Sequence, residues 1–277
     1  MKFLALAFLS FLAPHLCAED APAPSMWNQF RGPNGSGVAT ACHPPIKIEG
    51  KHRAWKTPVP PGLSSPVLSN NRIFLTAHEN DQLLTLAFDK ATGKELWRKA
   101  APRQPLEKVH AAGSPAASTP WADETRVVVY FGSFGLLCYD HEGEELWRRP
   151  IPTPKSLYGM ATSPIAFRDT FILVLDNDRN LPGSELSASK IIAVHKETGK
   201  LAWEKPRPFH RSGWSSPMIW KHGPRPEDVD LVVLGNDRLQ GYDPANGRSR
   251  WRVSGFSRET VAVPVAGAGH LYASSSR

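Results

Sequence analysis

The chain has 277 residues, enough for one large all-β domain or two ordinary ones. With 41% hydrophobic and 21% charged residues it has a globular composition, and 26 prolines and 21 glycines ask for many turns. The net charge of +7 comes with no nucleic-acid motif and no aromatic–basic interleaving, so no nucleic-acid partner is expected.

Residues 1–18 read as a signal peptide. Lys2 supplies the positive start, residues 3–12 the apolar core, and Leu16-Cys17-Ala18 a small-residue cleavage site before Glu19. That core is too short to span a membrane, and nothing later resembles a transmembrane segment. The mature chain is therefore expected to be exported, in the periplasm or cell envelope. A lipid anchor at Cys17 fits poorly with the preceding Pro14-His15-Leu16. Residues 19–52 form an N-terminal extension, with a Pro/Ala linker at 21–25 and then Trp27-Asn28-Gln29-Phe30-Arg31-Gly32-Pro33-Asn34-Gly35-Ser36-Gly37.

Repeats fill residues 53–277. Thr92-Gly93-Lys94-Glu95-Leu96-Trp97 returns as Gly143-Glu144-Glu145-Leu146-Trp147, Gly199-Lys200-Leu201-Ala202-Trp203 and Gly247-Arg248-Ser249-Arg250-Trp251. Each Gly stands four residues before its Trp, with Asp89, Asp140, His195 or Asp243 just upstream. Trp55 precedes the set, and residues 53–56 read as a lone strand of the same kind. A period of 40–55 residues with one hairpin signal per unit marks a β-propeller or a related array. Glycine suits the left-handed position of the hairpin. Each indole offers roughly 150–250 Å² to a sheet face, so burying it under a neighbouring unit contributes at most roughly 4–6 kcal/mol.

Between these markers, residues 72–76, 82–89, 126–131, 135–140, 171–175, 190–195, 231–235 and 238–243 are β-branched or aromatic runs bounded by Gly, Asn and Asp, and read as strands. Long connections at 101–117, 152–160, 176–189 and 205–214 are where function could sit. Lys56, Arg98, Lys99, Arg148, Arg149, Lys205 and Arg252 follow the tryptophans, as cations on outer strands that discourage edge pairing. Cys138 falls in an apolar strand and reads as a buried thiol.

A second repeat keeps step with the first: Ser64-Ser65-Pro66, Ser118-Thr119-Pro120, Thr162-Ser163-Pro164, Ser215-Ser216-Pro217 and Ala262-Val263-Pro264. Proline is confined to strand starts and edges, which places these residues at the innermost strand of each blade. One reading is a strand-start device. The other is a ring of hydroxyls (Ser65, Ser118, Thr119, Ser163, Ser216), with His110 near the channel mouth, that binds a small ligand or a protein partner. On that second reading, alanine at Ser118 or Ser216 changes stability by less than about 1 kcal/mol.

The opening run, with Ala54-Trp55-Lys56-Thr57-Pro58 and Ser64-Ser65-Pro66-Val67, resembles the exported bacterial propellers with pyrroloquinoline-quinone-type repeats. The likeness runs from about Trp27 to the last residue. It implies an all-β propeller of four-stranded blades with Trp-docking repeats. It also implies seven or eight blades, so that four blades and a partial fifth read as an incomplete ring of a truncated member. Relatives include the propeller lipoprotein of the outer-membrane assembly machinery, which implies a binding or assembly scaffold with partners at the channel or the blade edges. They also include quinone-dependent alcohol dehydrogenases, which makes a quinone-dependent oxidoreductase, or a fragment of one, the alternative. In those enzymes the quinone lies over a calcium ion beneath a disulfide between adjacent cysteines, and this chain has no adjacent cysteines. No catalytic position is carried over and no cofactor is expected; pyrroloquinoline quinone with calcium belongs to the alternative alone. Asp176-Asn177-Asp178 with Glu185 could begin a calcium site, but no glycine stands at the sixth place of such a loop, and a solvated turn suits the run better. No zinc spacing, nucleophile elbow or phosphate-binding loop is present.

Overall fold

The computed structural model describes residues 26–39, 42, 45–177, 188–208, 210–235, 237–257 and 260–275. The export segment 1–18 with Cys17, the linker 21–25, and Asp178 and Glu185 lie outside them. The strands in chain order are β1 (Val67–Ser69), β2 (Arg72–Glu79), β3 (Gln82–Asp89), β4 (Glu95–Ala100), β5 (Trp121–Ala122), β6 (Arg126–Phe131), β7 (Gly135–Asp140), β8 (Glu145–Pro150) and β9 (Ile165–Phe167). They continue as β10 (Thr170–Leu175), β11 (Lys190–His195), β12 (Leu201–Pro206), β13 (Met218–Lys221), β14 (Val229–Gly235), β15 (Arg238–Tyr242), β16 (Ser249–Ser254), β17 (Val265–Gly267) and β18 (His270–Tyr272). Four sheets, β1–β4, β5–β8, β9–β12 and β13–β16, are four-stranded, antiparallel and ordered as in sequence; β17 and β18 form a two-stranded sheet. These are four propeller blades and part of a fifth. Among the described residues no helix is long and apolar enough to cross a membrane.

Most of the core lies between blades; one smaller cluster, Ala77, Leu84, Leu86 and Phe88, belongs to the first blade alone. Along β6, Val127, Val129 and Phe131 pack on Phe74 and Leu83 of the first blade. The alternate residues Val128 and Tyr130 pack on Phe171 and Leu173 of the third. Ile172, Val174 and Ile191 of the third blade meet Leu231, Val233 and Tyr242 of the fourth. Because the middle strands are covered on both faces, they read as continuous apolar runs without a strand-like alternation.

The tryptophans join the blades by a common geometry. Trp97 lies over Gly143 of the next blade and donates from Nε1 to His141 O at 2.8 Å. Trp147 lies over Gly199 and donates to Lys196 O at 2.7 Å. Trp203 likewise covers Gly247. The seat glycine is thus required twice. Its φ is positive (88° at Gly143, 64° at Gly199), and a Cβ there would stand within 3 Å of the ring. Within its own sheet each tryptophan faces a small residue: Ala87, Cys138, Ala193 or Gly241. The ladder shifts register beside all four, and at Trp97, Trp147 and Trp203 the ring lies toward the next blade.

Two expectations are modified. Residues 53–56 form no strand: Trp55 docks by its ring over Gly93, with Nε1 donating to Lys90 O at 3.0 Å, and no ladder bonds hold that stretch extended. Trp251 covers no following glycine. Its ring turns back over Gly241 of its own sheet, and its Nε1 donates to Asp230 Oδ2 at 2.6 Å.

Candidate functional site

The antiparallel order sends the connections between blades and the second-to-third strand loops to one end of the array, and the Gly turns to the other. The connections at 101–117, 152–160 and 205–214, and the described ends of 176–189, therefore share one face. On it, His110 and Tyr158 meet at 5.1 Å between ring centroids and Tyr158 meets Trp214 at 5.2 Å, both edge to face. The backbone N–H of His110 donates to Leu157 O at 2.8 Å, and Trp214 Nε1 donates to Ser156 Oγ at 3.1 Å. Residues 101–117, 152–160 and 205–214, separate in sequence, thus interlock as one aromatic surface. Such contacts contribute about 0.5–1.5 kcal/mol per ring pair beyond burial.

The hydroxyl residues form a relay around the channel. Ser65 N donates to Thr119 Oγ1 at 2.9 Å, Thr119 N to Ser163 Oγ at 2.9 Å, and Ser163 N to Ser216 Oγ at 3.1 Å. Ser118 Oγ donates to Thr162 O at 3.0 Å. Each inner strand thereby hands one bond to the next blade. Thr119 and Ser118 are 1% exposed, so both hydroxyls are buried in the blade-to-blade seam. Among the described residues no hydrogen bond joins His110 to this relay; its ring meets Tyr158 instead, and its Nδ1 accepts from Ala112 N.

A buried polar network, which the sequence does not announce, ties blades three and four beneath the same face. Arg207 is 1% exposed. Its Nε bonds Asp176 Oδ1 at 3.0 Å, and its Nη2 bonds Asp176 Oδ2 at 2.9 Å, a two-pronged pair. Nη1 reaches Gln240 Oε1 at 3.3 Å and the Tyr242 hydroxyl. His210 Nε2 also contacts Gln240 Oε1, at 2.6 Å. Burial opposes the guanidinium charge, but Asp176 and Tyr242 outweigh it and hold the Arg207 pKa above its ordinary value. Burial, then the Arg207 charge, pushes His210 down; burial pushes Tyr242 up. The only sequence signal is Arg207 held between Pro206 and Pro208 in a long connection. The carboxylate considered for calcium at Asp176 is the one that clamps Arg207.

Glu107, in the 101–117 connection, is a second feature missed from sequence. Both carboxylate oxygens are buried without a hydrogen-bond partner, beside Gly132, and burial raises the pKa to about 7. The nearby Tyr130 hydroxyl is buried and unpartnered too, and burial followed by the Glu107 charge raises its pKa. Cys138 is a buried free thiol whose pKa burial lifts to about 12, far from a reactive thiolate. Three of the cations after the tryptophans sit in surface pairs: Arg98 with Glu95 and Glu79, Lys99 with Glu144, and Arg148 with Glu145.

Four-stranded blades joined by Trp–Gly seats and a hydroxyl relay define a β-propeller of pyrroloquinoline-quinone-type repeats. Residues 46–181 match the family model described as outer membrane protein assembly factor BamB. Among solved structures, a europium-containing methanol dehydrogenase is similar with a TM-score of 0.51 at 17% identity, over 73% of this chain and 45% of that one. A quinohemoprotein alcohol dehydrogenase from Comamonas testosteroni is similar with a TM-score of 0.50 at 13% identity, over 77% of this chain and 39% of that one. BamB from Moraxella catarrhalis matches with a TM-score of 0.41 at 14% identity, over 76% of this chain and 66% of that one. The chain spans less than half the length of the two dehydrogenases, and at these identities the likeness is one of fold. Comparison with curated proteins finds no match.

Proposed function

We propose that the protein is an exported binding or assembly scaffold of the cell envelope, and that its partner docks on the face built by the long connections. The carrying observation is how the polar groups there are used. The relay hydroxyls serve the seams between blades, the Asp176 carboxylate serves Arg207, and the interlocked His110–Tyr158–Trp214 surface is left to make contacts. A rigid aromatic surface on loops held by a β scaffold suits protein recognition. The family-model match over residues 46–181 supports the assembly reading.

The alternative, a quinone-dependent oxidoreductase, draws on the fold likeness to two dehydrogenases. Weighing against it, among the described residues no three His, Cys, Asp or Glu side chains converge on one point, and Asp176 is engaged by Arg207. The test is incubation of purified protein with pyrroloquinoline quinone and calcium, followed by desalting, absorbance and a dye-linked alcohol oxidation assay. No retained chromophore is expected; a bound chromophore with alcohol oxidation establishes the alternative. In the cell, envelope-fraction protein should begin near Glu19 on N-terminal sequencing. A partner crosslinked from residue 157, which is exposed, should be lost in a folded Tyr158→Ala variant.

A further inference from the structure

At the end of the array opposite the long connections, the N-terminal run crosses the inner edges of the blades. On the innermost strands, the residue two past the repeated proline is Leu68, Ala122, Ala166 or Ile219. Leu68 N donates to Trp27 O at 2.8 Å, and Ala122 N to Asn28 O at 2.9 Å. Ile219 is bracketed by one side chain, its N–H donating to Asn34 Oδ1 at 2.9 Å and its carbonyl accepting from Asn34 Nδ2 at 2.5 Å. The run thus satisfies the inner edges of blades one, two and four. At Ala166 of the third blade it makes no such bond among the described residues.

That unmet edge opens into a cleft of about 620 Å³ between the N-terminal run and β9. The volume is within the range of binding sites, about 300–1,000 Å³. Trp121, Phe167 and Ile219 supply apolar walls, Arg168 and Lys221 supply cations, and no carboxylate lines it. Arg168 holds a left-handed φ of 51°, with its guanidinium 5.0 Å from the Phe167 ring centroid. Asn28, another wall, has a buried side-chain oxygen with no hydrogen-bond partner.

We propose that this cleft binds an extended acidic peptide, which adds as a short strand along the inner edge of β9 and places a carboxylate between Arg168 and Lys221. The unpaired backbone edge favours a peptide over a small anion, because a peptide backbone both donates to and accepts from a strand edge whereas an anion only accepts. The all-cationic lining sets the sign of its side chain.

The test uses the whole chain and a five-residue valine-rich peptide bearing two glutamates, followed by fluorescence anisotropy. Three other probes are compared: the same peptide N-methylated on alternate amides, its lysine counterpart, and an oligodeoxythymidine of similar charge. We expect the acidic peptide to bind. N-methylation and the Arg168→Ala/Lys221→Ala double variant should each weaken binding at least tenfold, and the lysine peptide should not bind. No binding of the acidic peptide overturns the proposal. So does equal binding of the N-methylated form, the lysine peptide or the oligonucleotide, or no loss in a double variant whose melting temperature is unchanged. The long-connection face takes no part in this site, so the outcome is independent of the scaffold reading.

Discussion

Glu107 is the residue whose titration should be visible in stability. Its folded pKa, about 7, lies above its ordinary 4.5, so the native state binds the proton more tightly than the unfolded chain does. The associated stability is fully present below about pH 4.5 and is lost as pH rises through 7, a change on the order of 3 kcal/mol at 1.36 kcal/mol per unit. Glu107→Gln should remove this dependence, leaving stability near wild type at pH 4.5 and raising it at pH 8. Urea unfolding of both proteins at the two pH values measures it, and parallel profiles would show that the carboxyl is solvated. At the Trp seats, Gly199→Ala meets the Trp147 ring at 2.4 Å and also takes a positive φ. It should cost about 2–5 kcal/mol, the sum of backbone strain and overpacking. Gly269→Ala is the control: its φ is positive as well, but nothing lies within 4 Å of the new methyl, so it should lose no more than about 2 kcal/mol. Equal melting temperatures for the two variants would mean that the ring does not occupy the seat.

At the scale of elements, the relay makes a prediction opposite to that of a freely exposed hydroxyl ring. Ser163→Ala leaves the buried N–H of Thr119 without its acceptor, which costs about 1–3 kcal/mol rather than less than 1. Chemical denaturation of Ser163→Ala should show it. Thr119→Val removes a different bond, the one its Oγ1 accepts from Ser65 N, and should show a loss of the same order. The strands themselves were legible: residues 126–131, 135–140 and 190–195 match β6, β7 and β11 to the residue. Apolar runs bounded by turn residues are local signals, and burial on both faces makes them strong. Strand β2, by contrast, runs on to Glu79, because its partner β3 begins at Gln82 and the ladder extends as far as the hairpin allows.

For the whole molecule, stability should rest on the seams between blades, where the clusters of buried residues lie. The Asp176–Arg207 pair belongs to the third blade, and Arg207 reaches across one such seam to Gln240 and Tyr242. Asp176→Asn removes the charge that offsets a guanidinium 1% exposed to water, and should destabilise the chain by about 3–5 kcal/mol. Asp176→Leu with Arg207→Met removes both charges and should lose far less. A double variant as unstable as Asp176→Asn would mean that Gln240 and Tyr242, rather than the ion pair, hold the seam. Scanning calorimetry of the variants reads this directly.

What the sequence alone determined was whatever repeats. Gly and Trp at a fixed four-residue offset, proline after paired hydroxyls, and apolar runs between them sufficed for blades, turns and strand order, because each is a local rule restated in every unit. What only the tertiary structure decided was the pairing of singular residues. That Arg207 would close on Asp176 and Tyr242, that Glu107 would be buried without a partner, and that His110 would meet Tyr158 and Trp214 depend on connections of different lengths folding over one another. Such contacts occur once, at separations with no period, and their energies come from desolvation and geometry that exist only after the blades have stacked. The same holds for the N-terminal run: its turn residues were plain in the sequence, but that it would bond three inner edges and leave Ala166 facing a cleft was set by where the ring put those edges.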